Sequence, residues 1–487
     1  MIRTSRALRF SFATRYLGSA AALVSSLIIA RLLTPEEIGI FSLAAGLVSL
    51  SNLFRDFGAA QYVIQERELT DQRIRAAFTV NLACSWIIAV ALVAVAAPFA
   101  QFYREPIIRP VMLLLAVNFA LLPFGSITMA ILQRNMLFGR RMVVQTSAAV
   151  TQATVAVLGA YWGHGVMALA VASVASAAVT VVVALLLRPS DTPVLPGLHE
   201  VRRVLRIGSH FTLNSGLNHI SNIAPELIVG RMIGLEAVGH IARGWGAIRH
   251  FRGGLLRGID PVLYPLLADI HRNAGDVGAA YARSMVMISA VLWPFFGCLT
   301  LLGTPMIVTV FGQQWVLAGE LVEIWAYGGL LMTLVQFAPQ LLLATGNVHT
   351  LTRAQLLLTT LRIAMLLWSA TISLQAVAMT TIPMALMRIA LLTPHTSRLS
   401  GITLMQLLRE CRGSALATVF AVAGAYGATA WLDTAAQPVL SFVAGGAGAV
   451  VLWAVTLVWM RHPLVPLIAK VLIPRLDRDD SSPLGSP

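Results

Sequence analysis

Residues 240–260 read HIARGWGAIRHFRGGLLRGID, an apolar stretch that carries cations at helical spacing. On a helix His240, Arg243, His250 and Arg257 share one face, and Arg249 and Arg252 lie on an adjoining strip. A guanidinium inside a membrane span is unfavourable by about 2.5–3.5 kcal/mol on insertion scales, and such residues usually face a watery cavity. Arginine also offers a fixed charge and paired donors that match phosphate oxygens. Arg243, Arg249, Arg252 and His250 are therefore candidates for holding a pyrophosphate. Arg55, beside Asp56 in an earlier apolar stretch, is a candidate for the entrance to the same cavity. The competing reading is that Arg252 and Arg257 snorkel from a span end and that Arg55 makes a local ion pair.

A second polar pattern precedes the first. Asn214, Asn218, Asn222 and Glu226 recur at steps of four, with Ser215, His219 and Ser221 nearby. Steps of four make one slowly drifting helical stripe. It reads either as interhelical hydrogen-bonding glue or as a polar track lining a cavity. In the second reading Glu226 is a proton or sodium coupling site, Pro225 opens the backbone locally, and Arg362 is a candidate partner. Arg388, Glu320 and Glu323 lie near span ends and read as interfacial.

A third pattern is repeated. Residues 30–41, ARLLTPEEIGIF, echo residues 230–241, GRMIGLEAVGHI. At a shift of 200, Arg31 falls on Arg231, Glu36 on Glu236 and Gly39 on Gly239. Each acid lies near a helix N-terminus, where the dipole favours it, and each arginine is placed to pair with it across a tight turn. The glycines allow close helix packing. The alternative is that the two copies form a gate latch at the outer face.

The elements that position these residues are membrane spans. The chain has 487 residues, 57% hydrophobic and 11% charged, with mean hydropathy +0.78, against about 25% charged in soluble proteins. Runs of about 20 apolar residues, enough to cross the hydrocarbon core, recur from end to end. The fold class expected is an all-α polytopic membrane protein of fourteen helices: spans near 12–33, 38–58, 77–101, 108–132, 143–162, 165–187, 209–233, 238–258, 284–310, 317–344, 354–373, 376–394, 415–432 and 438–460. The matched segments are six spans apart, an even number. The two six-helix lobes, 1–187 and 209–394, are then related by an axis along the membrane normal rather than by inversion. Residues 188–208 read as a cytoplasmic linker ending in a short basic surface helix, 395–460 as two additional helices, and 461–487 as a polar cytoplasmic tail. Lys and Arg crowd the segments on the side of the N-terminus, from Arg3, Arg6, Arg9 and Arg15 onward, whereas the opposite loops hold only Arg104 and Arg109. Both termini are therefore placed in the cytoplasm. The basic N-terminus lacks the pattern of a cleavable signal peptide.

Several functions are excluded. The net charge of +14 is spread over short loops between spans, which speaks for topology and against nucleic acid. Cys84, Cys298 and Cys411 match no metal or redox spacing and read as packing residues. There is no Gly-rich phosphate loop followed by Lys and no His/Cys/Asp cluster at metal spacing, so neither metal, cofactor nor catalytic residue is expected. An ATPase of that type is excluded, which leaves ion gradients or the substrate gradient to drive transport.

The stretches LIIARLLTPEEIGIFSLA and FRDFGAAQYVIQERELT resemble the start of polysaccharide-transporter flippases, within the multidrug/oligosaccharidyl-lipid/polysaccharide exporter superfamily. NSGLNHISNIAPELIVGRMIGLEAVGHIARG, PVLYPLLADI, PMIVTVFGQQW and LLLATGNVHT resemble the second half. The resemblance covers roughly residues 8–400 and rests on the ordered set, not on one piece. It implies two six-helix lobes in a V and a substrate of undecaprenyl-pyrophosphate-linked sugar, moved across the bacterial inner membrane by alternating access for exopolysaccharide or O-antigen synthesis. Pro225–Glu226 departs from the Asn, Asp or Tyr of many relatives, so their ion site does not carry over. The expected partners are the lipid-linked sugar, membrane lipids and a polysaccharide polymerase, and the expected state is a monomer and not an enzyme. Two alternatives stand beside this reading. A cation-coupled multidrug exporter would favour an acidic, aromatic cavity. A membrane polymerase or glycosyltransferase would need a sizeable outside loop or a membrane-surface acidic site.

Overall fold

Thr34 sets the first helix boundary. Its Oγ1 accepts from Glu37 N (3.2 Å), and Glu37 Oε2 accepts from Thr34 N (2.9 Å), a reciprocal cap that ends the helical run 24–32 (α1) and starts α2, Pro35–Arg55. The computed structural model describes residues 21–466, apart from 23, 56–57, 191–195, 257–258, 433 and 435, and leaves the side chains of 53, 203, 206–220, 255, 260 and 261 aside. The described residues are helices and turns, without strand.

Helix order repeats along the chain. After α2 come α3 (Ala59–Gln65), α4 (Asp71–Tyr103), α5 (Ile108–Leu121), α6 (Pro123–Arg134), α7 (Phe138–Tyr161) and α8 (Val166–Leu186). The second series is α9 (Val201–Met232), α10 (Leu235–Leu256), α11 (Asp260–Arg272), α12 (Val277–Phe311), α13 (Val316–Thr333), α14 (Ala338–Ala344), α15 (Val348–Ser369), α16 (Leu374–Met379) and α17 (Thr381–Ser400). A long helix followed by a short one recurs as α2–α3 and α10–α11. An interrupted pair recurs as α5–α6, which turn by 52° at Leu122–Pro123, and α13–α14, broken at 334–337 without so large a bend. The long helices α4 and α12 occupy the same place in each series and both end at a positive-φ residue, Arg104 (58°) and Gly312 (109°). α18 (Leu404–Glu410), α19 (Arg412–Thr429) and α20 (Pro438–Trp459) lie outside the repeat.

Among the described residues seven helical stretches are long and apolar enough to cross a membrane, α13–α14 and α16–α17 each counting as one, and eight if α5–α6 is one span. The chain is a multi-pass membrane protein, and the helix order is consistent with the fourteen expected spans. Helices α2, α9, α10 and α15 also have the length; α10, with Glu236, Arg243, Arg249 and Arg252, and α15, with Arg353 and Arg362, carry more charge in their interiors. These four carry most of the residues singled out above.

By contact, the described residues form two compact units, 1–242 with 366–374, and 243–365 with 375–487. The division falls inside α10 because α9 packs along α2, α3 and α4 of the first unit. In that unit, the aliphatic core of α2, α4, α5 and α8 includes Leu43, Met112, Leu115 and Phe119, all essentially inaccessible. A second cluster joins α3 and α4 to Ile127, Ile131 and Val204. Arg134 secures that cluster, donating to Val63 O (2.8 Å) and Glu66 O (2.5 Å) and so satisfying carbonyls at the end of α3. The segment before α9 is held too: Gly197 N donates to Thr79 Oγ1 (2.9 Å), and Arg73 Nε donates to Glu200 Oε2 (3.0 Å).

In the second unit α12 is the buried axis, packed by α13, α19 and α20. Gly424 of α19 and Gly448 of α20 each place the other's carbonyl oxygen 2.4 Å from where a Cβ would stand, the close crossing that small residues permit. Trp453 Nε1 donates to Ala290 O (2.8 Å). Beyond α20, His462 folds back, its Nδ1 accepting from Leu464 N (3.2 Å) and its Nε2 3.3 Å from Ser414 Oγ.

Two expectations differ from this architecture. The basic segment before Gly208 is not a separate surface helix; it continues into α9 without a break. No proline separates the two, and glycine costs a helix only about 1 kcal/mol. Nor does Pro225 open the backbone, for α9 runs through it to Met232. The missing N–H deprives a single carbonyl of its partner, and the packing of α9 on α2 and α4 outweighs that loss.

Candidate functional site

The repeated turns come together in the first unit. A Cβ on Gly39 would lie 1.8 Å from Leu235 O, and one on Gly239 would lie 1.8 Å from Pro35 O. Pro35 and Leu235 are themselves 200 apart, as are the two glycines. Position 39 therefore meets 235 while 239 meets 35, the reciprocal pattern of an isologous contact between two copies of one motif. The starts of α2 and α10 thus touch backbone to backbone.

The charged residues of these turns lie around that contact. Glu37 makes the cap of α2, and Glu36 is exposed. Arg231 stacks over the Phe102 ring (5.0 Å to its centroid), while Glu236 lies 3.6 Å from His240. The expected Arg231–Glu236 pair is thus replaced by a ring contact and a neighbour one helical turn on. Arg31 is exposed.

α9 brings Glu226 to α2. A Cβ on Gly46 would stand 3.0 Å from Glu226 Oε2, so the carboxyl group occupies a notch that only glycine leaves. Asn222 is exposed one turn away. The side chains of Asn214 and Asn218 lie outside the described residues, although both positions are helical. Arg55, at the far end of α2, donates to Asn52 Oδ1 (2.9 Å). Tyr103 of α4 donates to Leu227 O (3.0 Å), fixing α9 one residue beyond Glu226.

The cations of α10 fall mainly in the second unit and in three environments. Arg243 is half-buried between two aromatic rings, 4.9 Å from the Phe311 centroid and 5.1 Å from that of Trp315. Gly244 lets α10 approach Ala318 O and Trp325 of α13, and Trp245 stacks edge-on against Trp325 (5.5 Å). Arg249 and His250 are exposed, His250 two turns along from Arg243 on the same face. Arg252 is half-buried and donates to Gln336 Oε1 (2.8 Å) in the break between α13 and α14. Arg362 is half-buried on α15.

The family is legible at this point. A model of the family described as polysaccharide biosynthesis protein matches residues 28–320, more than half of the chain. The chain belongs to the polysaccharide biosynthesis protein family. Among family-like proteins, the lipopolysaccharide biosynthesis protein WzxC of Escherichia coli (strain K12) is 22% identical over 300 residues, 60% of each chain. The succinoglycan biosynthesis transport protein ExoT of Rhizobium meliloti (strain 1021) is 24% identical over 334 residues, 64% of each. The chain thus spans about 60% of the length of the curated relatives it matches. In fold it is similar to the lipid II flippase MurJ in an inward closed conformation, with TM-score 0.70 and 13% identity over 93% of this chain and 99% of that one. An inward-facing multidrug MATE transporter gives TM-score 0.61 at 14% identity over 79% and 95%.

Within this polysaccharide biosynthesis protein, sequence reasoning missed two features. One is the glycine at 46, whose role appears only with Glu226 beside it. The other is Arg388 of α17, read as interfacial, which lies well inside its helix. The signal for Arg388 was available: fourteen residues separate it from the start of α16, too far for a span end.

Proposed function

We propose that the chain is a flippase that carries a polyprenyl-pyrophosphate-linked oligosaccharide across the bacterial inner membrane by alternating access, for exopolysaccharide or O-antigen synthesis. The observation that carries this reading is the set of arginines Arg243, Arg249 and Arg252 within one helix, α10, with Arg55 on α2, in a member of this family. Guanidinium groups in a membrane interior suit a cargo with an anionic head. The sugar-pyrophosphate head would enter from the cytoplasm with the prenyl tail left in the bilayer. The substrate leaves chemically unchanged, so no catalytic residue or cofactor is required.

Within this reading the two halves, 1–187 and 209–394, move about the reciprocal turn contact. Arg31, Glu36, Arg231 and Glu236 surround an outer gate whose seal is Gly39 and Gly239. Glu226, seated against Gly46, couples transport to a proton or sodium gradient, and Asn222, Asn214 and Asn218 extend its polar track. Both termini lie in the cytoplasm, in keeping with the lysines and arginines of the loops on that side. A polymerase would take the product on the far side.

The test is translocation of a fluorescent undecaprenyl-pyrophosphate-linked sugar in proteoliposomes containing the purified chain. Protection from a membrane-impermeant quencher should develop faster than in empty vesicles. A folded chain that moves the lipid no faster than empty vesicles would refute the reading. Efflux of a cationic dye instead would establish the drug-exporter alternative.

A further inference from the structure

Trp245 stands midway along α10, about 15 Å from either end, and its ring is exposed. Buried Trp325 of α13 meets it edge-on, with centroids 5.5 Å apart and planes at 80°. Gly244 brings the two helices close enough for this, since a Cβ there would stand 3.0 Å from both Ala318 O and Trp325. In an edge-on pair one ring presents only its rim, so Trp325 holds Trp245 in place and leaves at least one of its broad faces uncovered.

This ring is not a lipid contact. Arg249 follows it by one helical turn on the same side of α10 and is exposed too. A guanidinium turned toward hydrocarbon is unfavourable by about 2.5–3.5 kcal/mol, so this side of α10 faces water or a polar ligand. Nor does the ring belong to an interfacial belt, which gathers tryptophan at the ends of spans. An aromatic face held rigid in water is unfavourable until an apolar surface meets it.

The duplication marks the same place. Trp245 answers to Ala45 of the first copy, and Gly246 to Gly46. The notch at Gly46 is closed by the Glu226 carboxyl group, whose Oε2 lies 3.0 Å from where a Cβ would stand. At Gly246, apart from its own stretch of helix, nothing comes within 4 Å of that point. Trp245, Arg249 and His250 border the gap, the last two one turn beyond Gly246. The second copy thus carries a ring and a cation beside a notch that the first copy fills with its own side chain.

A pyranose suits this arrangement within the second unit. Its axial C–H bonds make one face apolar, and their hydrogens lie against the negative face of an aromatic ring as a ring edge does. In a pyrophosphate-linked sugar the first ring is joined to the phosphate through a single oxygen. A phosphate held at Arg249 therefore leaves that ring about 5–6 Å away, one helical turn, which is where Trp245 stands. We propose that Trp245 is the platform on which the first sugar of the lipid-linked oligosaccharide stacks while Arg249 holds its phosphate. The choice of this ligand rests on the flippase reading. Trp245 then separates a glycosylated lipid from the bare prenyl pyrophosphate, a distinction that charge alone cannot draw.

Binding tests this without transport. The full chain is placed in phosphatidylcholine nanodiscs, and affinities are measured for farnesyl pyrophosphate and for farnesyl-pyrophosphate-linked glucose, galactose and N-acetylglucosamine. The wild type should bind at least one sugar-linked probe about three- to tenfold more tightly than the bare one, the worth of one aromatic contact. Trp245→Leu keeps an apolar side chain that lipid would accept, and it should abolish this preference while binding the bare probe as before. Trp245→Phe keeps a flat face and should retain most of the preference. Should Trp245→Leu fail to fold, Trp245→Gln carries the test with the same expectation. Arg249→Gln should weaken all four probes alike, since all carry the pyrophosphate. An unchanged preference in Trp245→Leu overturns the platform. Equal weakening of all four probes by Trp245→Leu overturns it too, for the ring would then serve the prenyl chain or packing. So does a wild type that prefers none of the sugars, or an Arg249→Gln variant that binds as wild type. A wild type that shows the preference yet moves no lipid in proteoliposomes refutes the flippase reading and leaves the platform standing. One that moves the lipid without the preference refutes the platform alone.

Discussion

Replacing Gly39 by alanine should unlock the outer turn. The new Cβ would stand 1.8 Å from Leu235 O and 2.8 Å from Leu235 C, both backbone atoms, so no flexible side chain can yield. Ordinary contact needs about 3.4 Å, which requires the turns to part by roughly 1.5 Å. Overpacking of this kind costs about 1–3 kcal/mol. At 1.4 kcal/mol per decade, the closed contact would lose a factor of about 5 to 150 against any state in which the turns separate. Leu43, fully buried one turn below Gly39, reports that separation. In a chain carrying Leu43→Cys and lacking Cys84, Cys298 and Cys411, labelling by an impermeant maleimide from the outer side should accelerate about tenfold on adding Gly39→Ala. Gly239→Ala should act alike, since it strikes the reciprocal oxygen at the same distance. The double variant should gain less than the product of the two, because one opening relieves both clashes. Unchanged labelling in Gly39→Ala, with normal stability, would refute the reasoning: the turns would then tolerate a side chain and could not be the seal.

Other outcomes follow from the same geometry. Arg134→Ala should lower stability by about 2 kcal/mol, because charged donors to the end of α3 are lost; thermal unfolding in detergent measures it, with no direct effect on ligand affinity. Arg249→Gln, at an exposed position, should slow translocation without changing the melting temperature, whereas Arg243→Gln should lower both, its cation–π contacts being structural. The fold-back at His462 should loosen in acid. Burial holds its imidazole below the ordinary histidine value. Its Nδ1 accepts a bond that a proton would break, while buried Cys411 nearby is pushed up and stays a neutral thiol. The released segment binds the proton first, so the docking energy is whole above about pH 6.5 and is lost progressively below it. Limited proteolysis after residue 460 should quicken between neutral pH and pH 5.5 in the wild type, and be insensitive to pH in His462→Gln.

Much of the frame was legible because lipid allows few solutions. Apolar runs long enough to cross a bilayer must be helices, and a repeat at even span number must be parallel. The shift of 200 even locates the contact, since Pro35, Gly39, Leu235 and Gly239 obey it together. What the sequence hid is pairwise. Glu37, not Glu36, caps α2, because the reciprocal cap needs the residue three beyond Thr34. Arg231 prefers the face of Phe102, which comes from another helix 129 positions away and leaves no mark at 231. Arg243 read as a pyrophosphate ligand, and the rings of Phe311 and Trp315 flank it; Arg388 read as interfacial, and it lies well inside α17.

The duplication also separates shape from charge. At the turn, where two backbones touch, any side chain would intrude on the copy as well as on itself, so both halves keep glycine. One turn further, the halves are free to diverge. Leu43 sits in an aliphatic core with Ile40 and Leu115, whereas its counterpart at 243 is an arginine held by aromatic rings. Ser49 and Asn52 are likewise answered by Arg249 and Arg252. A pivot needs matching surfaces, but a binding site for one head group does not need two copies of its cations. Equal shape at the contact and unequal charge along α2 and α10 are what a two-halved carrier requires if one half grips an anionic cargo while both halves turn about a shared seal.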